Sequence, residues 1–373
     1  HFLMASGEES AILEETASLQ GRRVYVGWTE FAQRQGLDFS SYGSEEWFVK
    51  AYGEEILVIA GGFPRGTVYA AYEFLERQLG VLWLDEWRIH VPKTSEIHWD
   101  AKTDWRGKPA FAVRGLYSYF IADVKQRELF LTRNRQNFFH LKISPGSAAY
   151  ARGVDNLTGA PNFNHTFYHY TKDLAPGDED CLSYSRATGK RIRSTSSIGP
   201  GQICYSNPKT QQFISKKMLE YIAADRQERD PGRDPKYYVL AKNDNRNDCE
   251  CQGCFELYRK HGASGAQLEF TNRVAREVAK TYPDILIQMD AYATGAFPPI
   301  SEIKPEKNVA VKVALGHGDP KRYRDPFRSY RHPSNQVTGQ IISDWSRIAQ
   351  TCIWDYWIDF YGRSHYPSTN VLA

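Results

Sequence analysis

No run of this 373-residue sequence approaches the ~18 consecutive apolar residues that a membrane-crossing helix requires, so no span is expected. Excess charge of one sign is lacking too. Forty-seven basic residues against 44 acidic leave a net charge of +3, too little for the electrostatic footprint of a nucleic-acid binder. A phosphate-binding loop is missing as well: the pair Gly61-Gly62 stands before a helix-like stretch, yet neither a G-x-G-x-x-G pattern nor a P-loop lysine follows. No signal peptide is visible, and His1-Phe2-Leu3-Met4 does not read as a natural start. The expectation is a mature or trimmed fragment, in which a missing targeting segment excludes nothing.

What is present is the composition of an ordinary water-soluble globule, with 41% hydrophobic residues and a mean hydropathy of −0.56. Aromatic residues are abundant, at 14%. Most are expected in the core, but flat amphipathic rings also suit the apolar faces of sugars. The length fits one small domain followed by one barrel-sized domain.

Residues 1–105 read as a small α/β domain. Arg23 to Gly27, Glu55 to Gly62 and Val81 to Leu84 are expected strands. Between Gly66 and Gly80 the apolar residues Val68, Ala71, Tyr72, Leu75 and Leu79 fall at helical spacings, and Gly80 is a natural stop. The polar stretch Lys93 to Lys108, closed by Pro109, is the expected junction.

Residues 106–373 alternate strand and helix. Expected strands are Phe111 to Leu116, Phe138 to Ile143, Asn162 to His165, Tyr237 to Ala241, Ile285 to Tyr292, Val309 to Leu315 and Cys352 to Trp357. Helices are expected over Thr210 to Ala224 and over Ser264 to Lys280, the latter opened by the capping-box pair Ser264 and Gln267. Seven strands with intervening helices predict an α/β fold with a (β/α)8 TIM-like barrel. The eighth repeat is not found, and the chain is expected to stop before its last strand.

In such a barrel, polar residues just past each strand converge on one mouth. They are Arg114, His165, Asn243, Asp244, Asp290, Tyr292, His317, Asp319, Asp355 and Tyr356. Several carboxylates around one mouth is the arrangement glycoside hydrolysis needs: one protonates the leaving oxygen, and a second acts as base, nucleophile or orienting group. Each also has a structural reading. Asp244 suits an Asx turn or helix cap, Asp290 and Asp355 suit pairing with an arginine or a backbone N–H, and Arg114 and His165 suit buried scaffold hydrogen bonding.

Six cysteines are present. Cys204, Cys249, Cys251 and Cys254 could hold a structural zinc, while disulfides or free thiols are the other reading. Either way they would brace the loop carrying Asp244.

Gly61, Gly62, Arg65, Gly66, Tyr72, Glu76 and Gly80 together resemble the helical segment of the small α/β domain that precedes the barrel in hexosaminidases and α-glucuronidases. Asn164-His165-Thr166, Gln202-Ile203-Cys204, Asn243-Asp244 with the three following cysteines, Ala291-Tyr292 with Pro298-Pro299, and Trp354-Asp355-Tyr356 resemble glycoside hydrolase family 163, formerly domain of unknown function 4838. That resemblance implies a secreted bacterial enzyme of endo-β-N-acetylglucosaminidase type, located in the medium, periplasm or cell surface. It would act on an oligosaccharide or glycoprotein N-glycan, with no cofactor required. The catalytic candidates are then Asp244, Asp290 and Asp355, and the substrate-binding candidates Arg114, Asn137, His165, Asn243, Tyr292, Trp354 and Tyr356. In the related hexosaminidases an Asp-Glu pair follows strand four. Asn243-Asp244 stands there, and since asparagine cannot be a general acid, Asp244 alone would do proton or orienting work.

The sequence departs from the family pattern at three places, one being the further carboxylate on the eighth strand that family chains carry past the point matching Ser368-Thr369-Asn370. An acidic residue expected on strand six is replaced by Ala314-Leu315-Gly316-His317, and a His-Pro-Glu segment before Cys204 by Asp178-Glu179-Asp180-Cys181. Two other functions therefore stay open: an α-glucuronidase-like hexuronidase using Lys321, Arg322, Arg324 and Arg328, and a catalytically incompetent glycan-binding protein.

Overall fold

Tracts of β-branched and aromatic residues form two separate four-stranded sheets, one in each of two compact units, His1–Asn156 and Leu157–Ala373. The structure, a computed structural model, describes residues 1–7, 9–15, 21–85, 87–115, 123–137, 158–161, 164–228, 235–314 and 328–355.

In the first unit β1 (Arg23–Val26), β2 (Trp47–Tyr52), β3 (Ile56–Gly61) and β4 (Asp104–Gly107) lie in the order β1-β3-β2-β4. β1 runs parallel to β3, and β2 runs antiparallel to both its neighbours. Helix α1 (Gly66–Leu79) forms where its periodicity predicts and ends at Gly80, whose φ of 65° is the left-handed conformation that glycine adopts without strain. Its Tyr69, Ala70 and Phe74 pack on Trp47, Val49, Leu57 and Ile59. On the other face of the sheet Phe48, Val58 and Ala60 meet Ala32 and Phe39.

The glycines before α1 serve close packing. A Cβ on Gly62 would stand 2.0 Å from the Gly43 carbonyl oxygen, and one on Gly66 2.2 Å from that of Glu46. The amides of Arg65 and Gly66 both donate to the Ser44 carbonyl at 3.1 Å, so they are already engaged within the chain.

Two expectations need correction here. Lys93 to Lys108 is not wholly a linker, because Asp104–Gly107 pairs with β2 as a strand at the end of the sheet order. Residues 111–114 of the expected strand Phe111 to Leu116 are not extended in a sheet, Gly115 forms a β-bridge, Leu116 lies outside the described residues, and the Arg114 side chain bonds the Arg135 carbonyl.

In the second unit β5 (Tyr237–Val239), β6 (Leu286–Ala291), β7 (Val309–Ala314) and β8 (Gln350–Trp354) form a wholly parallel sheet in the order β8-β7-β6-β5. Thr158 adds a parallel bridge to Tyr237. Neighbours in sequence are neighbours in the sheet, the winding expected of strand–crossover–strand units. These residues give a mixed α/β fold with fewer strands than the eight of the expected closed barrel. Phe138 to Ile143 and everything after Asp355 lie outside the described residues.

Three helices cover one face of this sheet: α2 (Pro208–Glu228), α3 (Gln252–Ala279) and α4 (Gln336–Ser346). Tyr238, Leu240, Ile287, Met289, Val309, Val311 and Val313 join Met218, Ile222, Leu268, Val274, Val278, Ile341 and Trp345 in one buried cluster. Full burial of each such side chain contributes roughly 1.5–3 kcal/mol. The period of two along a strand then turns Gln288, Asp290, Ala310, Lys312 and Ala314 to the opposite face. Helix α3 begins twelve residues before the expected Ser264, counting from Gln252, and is kinked at Gly262, where φ is 75°. The element is two helices joined at that kink, and the buried Ser264 lies in the first turn of the second, close to the expected start.

Candidate functional site

Strand β5 leads through the buried Leu240 and Ala241 into a polar loop, and the chain around Thr166 fixes where that loop starts. The Thr166 and Phe167 amides both donate to the Ala241 carbonyl at 3.0 and 3.1 Å, while the Thr166 hydroxyl donates to the Val239 carbonyl at 2.9 Å. His165 just before them has a φ of 47°, uncommon for a non-glycine residue, and its Nδ1 lies 2.8 Å from the Lys242 carbonyl. A carbonyl only accepts, so Nδ1 carries the proton. In the neutral ring Nε2 then presents a lone pair.

Asn243 is 2% exposed and its side chain locks the loop. Nδ2 donates to the Ser194 hydroxyl at 2.9 Å and the Gly201 carbonyl at 3.0 Å, and Oδ1 accepts from the Tyr168 amide at 2.8 Å. Gln202 completes the lock: its Oε1 accepts from the Asn243 amide and its Nε2 donates to the Asn243 carbonyl, both at 2.9 Å. Beside this rigid residue Asp244 is exposed, its carboxylate accepting from the Tyr292 hydroxyl at 3.3 Å. The Tyr292 ring meets that of His165 edge-on, with centroids 6.2 Å apart.

Asp290 comes from the carboxyl end of β6 and is 9% exposed. Lys312, its direct partner on β7, places Nζ 3.2 Å from Asp290 Oδ1, and that ammonium also lies 5.1 Å from the centre of the Trp354 ring. The Lys312 contact is an ion pair without hydrogen-bond alignment: among the described residues Asp290 Oδ1 accepts no hydrogen bond. One row along, Gln288 Nε2 donates to Cys352 Sγ at 3.4 Å, and burial pushes the Cys352 thiol up from its ordinary range.

A small open recess joins these pieces, lined by Lys242, Asn243, Asn245, Asp290, Tyr292 and Ala293. It lies at the carboxyl ends of β5 and β6, where ligands of parallel sheets bind. Lys242 forms an ion pair with Asp248 at its edge. Asp355 follows β8 and accepts from the Tyr330 hydroxyl at 2.8 Å.

The structure thus brings His165, Asn243, Asp244, Asp290 and Tyr292 together and links Trp354 to Asp290 through Lys312. Arg114 and Asn137 are held inside the first unit. Arg114 Nη1 lies 2.9 Å from Glu45 Oε2, and Asn137 Nδ2 donates to Glu45 Oε1 at 2.8 Å. Tyr356, His317, Asp319, Lys321, Arg322 and Arg324 lie outside the described residues. Cys204, Cys249, Cys251 and Cys254 converge in one cluster.

Sequence reasoning passed over Lys312. Its signal was a single charge in the apolar run Val309-Ala310-Val311-Lys312-Val313-Ala314, a position that only a buried partner makes tolerable.

Fold and site define a mixed α/β protein with a polar recess at the carboxyl ends of parallel strands. The chain belongs to the family described as Domain of unknown function (DUF4838), whose model matches residues 83–373. No curated protein matches it. One similar solved structure is a family 115 4-O-methyl-α-glucuronidase with specificity for decorated arabinogalactans, at 15% identity and TM-score 0.48, covering 92% of this chain and 44% of that one. Another is a family 89 glycoside hydrolase from Clostridium perfringens in complex with GlcNAc-α-1,4-galactose, at 9% identity and TM-score 0.38, covering 74% of this chain and 36% of that one. The same family 89 enzyme with 2-acetamido-1,2-dideoxynojirmycin gives 8% identity and TM-score 0.40 over the same shares. The chain therefore spans less than half the length of each of these proteins.

Proposed function

We propose that this chain carries the active site of a glycoside hydrolase acting on N-acetylglucosamine-containing glycans, of the endo-β-N-acetylglucosaminidase type on N-glycans. The observation that carries the proposal is the recess lined by Asp290 and Tyr292. Asp290 Oδ1 there is ion-paired with Lys312 and accepts no hydrogen bond from the described residues, and the Tyr292 hydroxyl donates to the exposed Asp244 carboxylate. Sugar hydroxyls or an acetamido N–H would supply donors to such oxygens, and the Tyr292 ring in the recess suits a pyranose.

In this reading Asp244 either exchanges a proton with the glycosidic oxygen, as in two-carboxylate chemistry, or orients the substrate amide, as in the substrate-assisted exception to it. Asp290, fixed by Lys312, stabilises positive charge developing at the anomeric carbon. His165 presents its Nε2 lone pair to a substrate hydroxyl, and Asn243 holds the loop in register. The substrate would lie outside the cytoplasm, in line with the secreted, periplasmic or cell-surface location that the family resemblance implies.

The test is release of intact glycans from a glycoprotein, run beside release of uronic acid from xylan fragments. The protein is expected to release glycans, and Asp244→Asn to lower the rate about 10²–10⁴-fold with sugar affinity retained. Uronic acid release alone would make it a hexuronidase; glycan binding without turnover by the unaltered protein would make it a binding protein.

A further inference from the structure

We propose that Cys204, Cys249, Cys251 and Cys254 bind one zinc ion through four thiolates, closing a structural clamp beneath the loop that carries Asn243 and Asp244. The four sulfurs lie within 4.8 Å of one another, with Cys204 Sγ 3.6 Å from that of Cys251 and 3.7 Å from that of Cys254. A disulfide would need about 2.05 Å. Four sulfurs arranged tetrahedrally at a Zn–S distance of about 2.3 Å stand about 3.8 Å apart, close to the two separations from Cys204.

The surroundings argue for thiolates and against a patch of inert buried thiols. The Tyr184 amide donates to Cys249 Sγ at 3.3 Å, and Arg191 Nη1 does so at 3.6 Å. The Ser206 hydroxyl lies 3.4 Å from the sulfurs of both Cys204 and Cys251 and 3.5 Å from that of Cys254, and its single proton can be given to one of them. Donors aimed at sulfur are what a metal-bound thiolate needs from its surroundings, and an apolar cluster has no use for them. Cys251 caps α3 and Cys254 lies in its first turn, so the helix dipole also favours negative sulfur. Gly253 between them permits the approach of the other strand of the clamp: a Cβ there would meet Ser206 Oγ at 2.7 Å. On binding, four Zn–S bonds form and the thiol protons pass to solvent. A soft tetrahedral S4 set suits zinc.

Cys204 lies just before α2, Cys249 and Cys251 end the loop after β5, and Cys254 starts α3. The ion would tie these three segments and so hold the 242–248 loop at one end, the Asn243 and Gln202 bonds holding the other.

The experiment is metal analysis of the full chain purified without chelators, with cobalt substitution as a second readout. About one zinc per chain is expected, and Co2+ should give the sulfur-to-metal charge-transfer and tetrahedral d–d bands of an S4 site. Cys254→Ser should lose most of the zinc, whereas Cys181→Ser should keep it. Metal-free protein without cobalt bands, a disulfide among the four cysteines, or full zinc content in Cys254→Ser would overturn the site. Stoichiometric iron would overturn the choice of metal.

Discussion

Glu45 gathers its partners from across the first unit. Arg65 Nε donates to its Oε1 at 2.8 Å, as does Asn137 Nδ2, and Arg114 Nη1 lies 2.9 Å from Oε2. Burial works to raise the Glu45 carboxyl, but the hydrogen bonds from Arg114 and Asn137 and the two guanidinium charges outweigh it and hold the group below its ordinary range. A depressed carboxylate contributes stability that is present above the unfolded value, about 4.3, and is lost as pH falls through the lower folded value. Glu45→Gln is expected to cost about 3 kcal/mol, because the largely buried Arg65 and Arg114 side chains lose their counter-charge, and to flatten the acid limb of the stability curve. Chemical denaturation at neutral pH and near pH 3 checks both. At the second unit's recess two adjacent residues should behave in opposite ways. Asn243→Ala breaks three buried hydrogen bonds and should destabilise by about 2 kcal/mol, a loss visible as a lower Tm. Asp244→Asn should leave Tm nearly unchanged, since its carboxylate is exposed. The identities of both were legible as polar residues after a strand. Their division of labour was not, because the hydrogen-bond partners around Asn243 come from Tyr168, Ser194 and Gln202, far away in sequence.

Elements were legible where period and stop signals agreed. Helix α1 has both an apolar stripe and Gly80 and forms over the expected residues, but its core face is Tyr69, Ala70 and Phe74, while Val68, Ala71, Tyr72 and Leu75 of the expected stripe are only half-buried. The start of α3 was missed because Gln252 and Gly253 look like loop and the helix is interrupted at Gly262. Strand β4 was hidden by its polarity: at the end of the sheet order, beside β2 alone, Asp104 and Arg106 remain exposed and an apolar run is unnecessary. Helix α4 is anchored by Trp345, fully buried, whose Nε1 donates to the Ala296 carbonyl at 2.8 Å. Trp345→Phe keeps an aromatic ring but leaves that carbonyl unpaired. It is expected to lower stability by about 1–3 kcal/mol, measured by denaturant midpoint.

Across the whole molecule, the run of parallel strands in chain order was readable from alternating apolar tracts, and with it the edge where a ligand would sit. What could not be read was which polar residues face each other across that edge, since a strand's register against its neighbour is a tertiary property. The Asp290–Lys312 pair depends on β6 and β7 aligning at that one step. The central claim is that the acidic groups at the carboxyl ends of β5 and β6 serve a bound sugar. A crystal structure of the protein with an N-acetylglucosamine-containing oligosaccharide tests it most directly. The account predicts a pyranose in the recess beside Tyr292, with a carboxyl oxygen of Asp244 or Asp290 within about 3 Å of the glycosidic oxygen or a ring substituent. A sugar bound elsewhere, with the recess empty and Asp290 contacting only Lys312, would contradict it.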